Sequence, residues 1–143
     1  MNELEFLVGR VIEEVRYGHG LRIVFKLGDR VEPALYADVG RFSFTDAGGG
    51  THEVDTDDPA SVGVALAMVG QKVVNAASDD LAALDVRLSD GSSLRCEPDE
   101  QYEAWEVVGG SPKCLVVCVG PGELAVWDTR TPAVKLEPRR RSR

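Results

Sequence analysis

The sequence predicts a mainly β (α+β) fold, with two related antiparallel β-meanders packed as a sandwich or partly open barrel and one inter-repeat helix at about residues 58–69. Three observations carry this. Apolar residues alternate with polar ones at period two through most of the chain. "FLVGRVIEEV" (Phe6–Val15) returns in weakened form as "AMVGQKVVNA" (Ala67–Ala76). One segment alone, between the two halves, carries helix signals at both ends.

Val8-Gly9 returns as Val69-Gly70 at an offset of 61, and Ile23, Phe25 and Leu27 align with Leu84, Val86 and Leu88 at the same offset. "GRFSF" (Gly40–Phe44) then meets "EAWEV" (Glu103–Val107) at 63. Low identity with a constant register of alternation reads as an internal duplication. The repeats run over about 6–57 and 67–128 within a single domain, 1–129, followed by a basic, flexible C-terminal tail, 130–143.

Strands are expected near 11–17, 21–27, 30–36, 41–46 and 51–55, and again near 72–78, 83–89, 93–97, 103–108, 113–119 and 123–128. "LRIVFKL" and "LDVRLS" set the alternation. Asp90-Gly91 reads as a two-residue hairpin with both residues at positive φ, Gly28-Asp29 as a type II′ turn, and Pro121-Gly122 as a type II turn. The helix has Asp58 at its N-cap, Pro59 at its first position and Gly70 past its end. At a period of 3.6, Val62, Leu66 and Val69 form its buried stripe, widened by Ala65 and Met68.

A chain of 143 residues buries roughly 68–70% of its unfolded surface, which suffices without a metal or disulfide. Cys96, Cys114 and Cys118 are an odd number with no CxxC pair; four residues along a strand separate Cys114 from Cys118 by about 13 Å, too far for a disulfide. They read as buried thiols. The longest apolar stretches, Val62–Gly70 and Cys114–Gly120, are too short to span a bilayer, and "MNELEF" has acids where a signal peptide has bases. A cytoplasmic protein is expected.

The net charge is −8; residues 130–143 hold six Lys/Arg and one Glu, which leaves −13 on residues 1–129. Such a body repels nucleic acid and anionic membrane. Five acids in 97–106 (Glu97, Asp99, Glu100, Glu103, Glu106) and five in 46–58 (Asp46, Glu53, Asp55, Asp57, Asp58) stand without a Lys or Arg. Solubility explains such runs, and the sharper reading is a surface that steers a basic protein.

No motif for catalysis, phosphate or metal stands out. His19 and His52 lie far from any metal-ligand spacing, "DTDD" lacks the rest of an EF-hand loop, and Gly48–Gly50 precedes a strand with no Lys-Ser/Thr after it. No cofactor is expected. The candidate ligand- or partner-binding residues are Glu100, Tyr102, Glu103, Trp105 and Glu106. Trp105 aligns with Phe42 and reads as a core aromatic. Glu103 falls on the same side, where a half-buried carboxylate marks a functional site and a solvated one does not.

"FLVGRVIEEV", the "DP…L…VG" segment, "LSDGSSL", "YEAWEVVG" and "GPGELAVWD" resemble the recurrent blocks of a family of small uncharacterised actinobacterial proteins, a domain of unknown function, over Phe6 to Asp128. The resemblance implies no established activity and supplies no site residues. Arg over Lys, twelve to four, fits a GC-rich genome. The expected function is a non-enzymatic cytoplasmic binding or interaction module, with an immunity-type inhibitor of a basic protein as its finer form; the alternative is a small-molecule-binding protein or enzyme with a pocket near Tyr102, Glu103 and Trp105. The chain is a monomer or a homodimer.

Overall fold

The structure, a computed structural model, describes residues 3–26, 35–99, 103–109, 114–128 and 131–138. The first half supplies β1 (Ile12–Tyr17), β2 (Leu21–Phe25), β3 (Tyr36–Val39), β4 (Arg41–Thr45) and β5 (Thr51–Asp55). The second supplies β6 (Val73–Ser78), β7 (Leu84–Leu88), β8 (Ser93–Cys96), β9 (Trp105–Gly109), β10 (Cys114–Gly120), β11 (Glu123–Asp128) and β12 (Thr131–Pro138). Between them lie a single α-helical turn, α1 (Pro59–Val62), and a 3-10 segment (Gly63–Met68).

The strands form two antiparallel sheets packed on a shared core, and neither closes into a barrel. The larger runs β1-β2-β3-β9-β10-β11-β12 and the smaller β5-β4-β8-β7-β6. The first half therefore puts three strands in the larger sheet and two in the smaller, and the second half three in the smaller and four in the larger. From its first strand inward, the array β1-β2-β3-β9-β10 has the same order as β6-β7-β8-β4-β5 with the halves exchanged.

The register agrees residue by residue. Ile12 pairs Phe25 and Glu14 pairs Val24 around a bulge; Val73 pairs Leu88 and Asn75 pairs Arg87 around another. Val39 pairs Trp105 and Ala37 pairs Val107, as Leu94 pairs Phe44. The counterparts in the second strand of each half are thus Leu21/Leu84, Ile23/Val86 and Phe25/Leu88. The sequence alignment of Ile23 with Leu84 and Phe25 with Val86 is two residues out. The β6–β7 loop is longer than Gly18–Gly20, so the offset has already reached 63 at β7. A slip of two keeps every side chain on its face, so the expected core positions survive it.

The "VG" repeat lies where the sheets meet. Val8 and Val69 leave 3-10 turns with φ −64° and −63°, both at ψ 130°. Gly9 and Gly70 follow at φ +91° and +88°, a region open to glycine at low cost. Gly9 N–H donates to Val73 O and Gly70 N–H to Ile12 O, both at 2.8 Å. Ile12 N–H donates to Gln71 O and Val73 N–H to Arg10 O, at 2.9 and 2.8 Å, around a bridge between Val11 and Lys72.

Phe42, Phe44, Ile23, Leu84, Leu94 and Trp105 fill the space between the sheets, each at most 2% exposed. The Trp105 indole N–H donates to Ala82 O at 2.9 Å. Ala82, at φ +65°, sits in a loop folded around the Asp79 carboxylate, which accepts from the Leu81 and Ala83 amides.

Several expectations are corrected. The expected helix at 58–69 is mostly 3-10 after its first turn, though Asp58 does cap it by accepting from the Ala60 amide. With three residues per turn, Val62, Ala65 and Met68 align and are buried. Leu66 is 64% exposed and Val69 42%, so the stripe drawn at 3.6 residues per turn faces water. Asp90 is not at positive φ. The β7–β8 hairpin closes through Leu88 N–H to Ser92 O with Gly91 alone at φ +90°, a three-residue loop. Gly122 takes the positive φ, +77°, that the Pro121-Gly122 turn requires. β3 is at Tyr36–Val39, beyond the expected bound at 36, because Ala37 and Asp38 are weak strand formers that obscured its alternation; residues 30–34 of the expected strand lie outside the described residues. Gly28-Asp29 lies outside the described residues. Residues 131–138, within the expected tail, form β12 on the edge beside β11.

The segment carries a direct test. Met68→Ala is expected to cost about 2–5 kcal/mol in denaturant unfolding, as for other buried large side chains. Leu66→Ala is expected to stay within about 0.5 kcal/mol. The reverse order would restore α-helical packing.

Candidate functional site

The outward face of the larger sheet is ordered by register. One row crosses six strands as Arg16, Arg22, Asp38, Glu106, Val117 and Ala125, each the pairing partner of the next. Its β1–β9 half is charged and its β10–β11 half apolar. Along the charged half, beside the β1–β2 hairpin, lies a cleft of about 520 Å³ whose lining includes Tyr17, Arg22, Asp38, Glu103 and Glu106.

Arg22 and Asp38 form a forked pair, Nε to Oδ1 at 2.7 Å and Nη2 to Oδ2 at 2.9 Å. The guanidinium also lies 3.9 Å from the centre of the Tyr36 ring. Arg16 pairs with Glu14. Glu106 is half-buried beside this arrangement, and among the described residues no hydrogen bond or ion pair reaches its carboxylate. Burial, then the charges of Asp38 and Glu103, push its carboxyl above the ordinary range, against the pull of Arg22.

A second cleft of about 690 Å³ adjoins the first, sharing Gly40, Glu103 and Ala104 with it. Glu53, Asp55, Asp57, Glu97, Asp99 and Glu103 line it against two cations, Arg41 and Arg95. Both cations are engaged. Arg41 binds Asp55 at 3.0 Å, and Arg95 binds Asp79 at 2.5 Å, Glu97 at 2.7 Å and Asp85 at 3.6 Å. These carboxylates, Asp79 first and Glu97 next, hold the Arg95 pKa above its usual value. The acidic runs 46–58 and 97–106 thus converge on one cleft, although Asp46 is elsewhere, accepting from the Gly48 and Gly50 amides and bound to His52.

Of the residues expected from sequence, Glu100 and Tyr102 lie outside the described residues. Trp105 is in the core at 1% exposed. Glu103 is exposed and precedes β9, so it is the solvated form of the two alternatives, and it lines both clefts. Glu106 faces away from Trp105 and is the half-buried carboxylate of the group. Sequence reasoning missed Arg22, Tyr36 and Asp38, whose shared outward face could have been read from alternation had β3 been placed correctly.

The Cys96 and Cys118 thiols are poor nucleophiles. Burial pushes Cys96 up to about 12 and Cys118 upward as well, which keeps both protonated. The Cys96 thiol donates to the carbonyls of Arg41 and Ala104 at 3.3 and 3.4 Å. Among the described residues no group of three or more His, Cys, Asp or Glu could hold a metal, and no helix is long and apolar enough to cross a membrane.

The Glu106 carboxylate predicts a stability effect of unusual sign. A carboxyl whose folded pKa is raised destabilises the fold once pH exceeds its unfolded value, and the penalty vanishes below that value. Glu106→Gln is therefore expected to stabilise the protein at pH 7 by up to about 1 kcal/mol, the scale of like charges directly opposite across strands. In paired urea titrations the gain should disappear by about pH 3, below the ordinary glutamate range.

Set against known proteins, the chain matches no curated protein and no solved structure. It does match one family across residues 4–128, which takes in both five-stranded arrays and both clefts. The chain belongs to DUF6188, a family of unknown function.

Proposed function

We propose that this chain is a non-enzymatic, cytoplasmic binding module whose acidic cleft receives a basic protein, in the manner of an immunity-type inhibitor. The observation that carries this reading is the second cleft. Six carboxylates from two distant acidic runs line it, and its two arginines are already held by carboxylates. Such a surface concentrates field on one side of a body at −13 and speeds encounter with a cationic partner. The proposal extends to an internal duplication, supported by the matching strand order and register of the halves, and to an actinobacterial source, supported by the Arg-rich, Ala- and Gly-rich composition.

A second reading, a small-molecule-binding protein or enzyme, is favoured by one observation. The first cleft has Glu103 and Trp105 in its lining.

Affinity capture from the native host followed by stopped-flow association tests the first reading. Glu53→Gln with Asp57→Asn is expected to slow association with the captured basic protein about tenfold at low salt, to flatten its salt dependence, and to leave stability within about 0.5 kcal/mol. A partner whose association rate and salt dependence ignore these changes would remove the acidic cleft from the mechanism.

A further inference from the structure

Among the described residues, the outward row of the larger sheet ends its charged half on a carboxylate that no hydrogen bond or ion pair reaches. Arg16 has Glu14, and Arg22 has Asp38 and the Tyr36 ring. Glu106 stands directly opposite Asp38 and beside Val117, which is 7% exposed. Two carboxylates opposite each other across antiparallel strands destabilise a sheet, and half-burial makes the second one worse.

The smaller sheet shows that the fold does not need this charge. By register, Arg22 and Asp38 correspond to Asp85 and Arg95, so the same cross-strand ion pair recurs with its polarity reversed. The counterpart of Glu106, paired to Arg95 as Glu106 is paired to Asp38, is Ser43. One scaffold position holds a neutral hydroxyl where the other holds a carboxylate with no ion-pair partner among the described residues, and only the latter faces the first cleft.

We propose that the first cleft is a binding site for a single organic cation, an alkylammonium or guanidinium group on a small apolar body, with Glu106 as its anchoring carboxylate. The volume of about 520 Å³ suits a small ligand. The charge count suits a monocation. Asp38 is occupied by Arg22, which leaves one half-buried carboxylate as the anchor and Glu103 exposed at the mouth. Tyr17, its hydroxyl tied to the Thr56 carbonyl at 2.6 Å, supplies an aromatic ring to the lining for the apolar body. The site is distinct from the acidic cleft proposed for a protein partner, although the two share Glu103.

The probe is benzylamine, with benzyl alcohol as its neutral counterpart, titrated into the full chain at pH 7 and followed by backbone amide shifts. Benzylamine is expected to produce saturable shifts at Ala104–Val107, Asp38 and Gly18–Gly20 with a Kd of about 1 mM. Glu106→Gln should weaken it about tenfold or more, as loss of a charged anchor does, and Glu53→Gln in the neighbouring cleft should not. Carboxyl titration of Glu106 in the unmodified chain gives an answer without any variant. The groups around it are Asp38 from β3, Arg22 from β2, Glu103 ahead of β9, and apolar Val117 from β10. Saturating benzylamine should lower its midpoint, and affinity should fall as pH drops through that midpoint. No saturable shift by about 50 mM, equal binding of benzyl alcohol, shifts confined to the acidic cleft, or an unmoved Glu106 midpoint would each overturn the proposal.

Discussion

Four backbone hydrogen bonds between residues 9–12 and 70–73 join the first strands of the two sheets around the Val11–Lys72 bridge. Each bond has a reciprocal, Gly9 to Val73 against Gly70 to Ile12, and Ile12 to Gln71 against Val73 to Arg10. The arrangement works only if both chains turn sharply just before it, which is why a positive-φ glycine follows a valine in each half. Once β1 and β6 are fixed to each other, their bulged hairpins with β2 and β7 fix the register of everything that follows. The bulges are in equivalent places in the two hairpins.

The exchange of strands makes this corner matter for the whole molecule. β3 continues through Gly40 into β4 of the opposite sheet, and β8 is followed by β9 back in the first. Gly40 N–H meets the Ala104 carbonyl at 3.3 Å near these two passages. Neither half can complete a five-stranded array from its own strands. The core is therefore shared in the strict sense: Phe42 of the first half lies in the sheet that begins with β6, and Trp105 of the second in the sheet that begins with β1. A fold built this way unfolds as one unit.

The sequence made some of this legible and hid the rest for physical reasons. Alternation found most strands because burial on one face has period two whatever the topology. It could not show that strands of one half pair with strands of the other, since pairing is non-local. The "VG" repeat was visible, but its role was not, because hydrogen bonds at a corner leave no pattern beyond the glycine. The segment after Pro59 misled because helix caps announce a helical start without distinguishing 3.6 residues per turn from 3.0. β12 was masked by the arginines beyond it, although Val134 and Leu136 alternate with Lys135 and Glu137. The acidic runs were plain in the sequence, and their convergence on one cleft required the fold. Glu106 was named, but attention fell on Glu103, because the sequence cannot say which neighbouring carboxylate meets another strand's charge.

Comparing the two arrays separates what the fold demands from what it leaves open. Many inward positions keep their character across the halves: Leu21 and Leu84, Ile23 and Val86, Phe42 and Trp105, Val54 and Cys118 are all buried. Outward positions do not. Arg22 faces Asp38 where Asp85 faces Arg95; Tyr36 stands where Ser93 does; Glu106 stands where Ser43 does. The ion pair survives inversion because attraction depends on opposite signs and not on which strand carries which. An extra carboxylate opposite one member has no such compensation. Core packing therefore accounts for the likeness of the two sheets, while their differences fall on the outward faces, where Arg22, Asp38 and Glu106 line one cleft and Ser43 and Arg95 the other. In a protein whose inward residues are explained by burial alone, the residues that burial and pairing leave unexplained are where a ligand's contribution belongs, and Glu106 is the clearest of them.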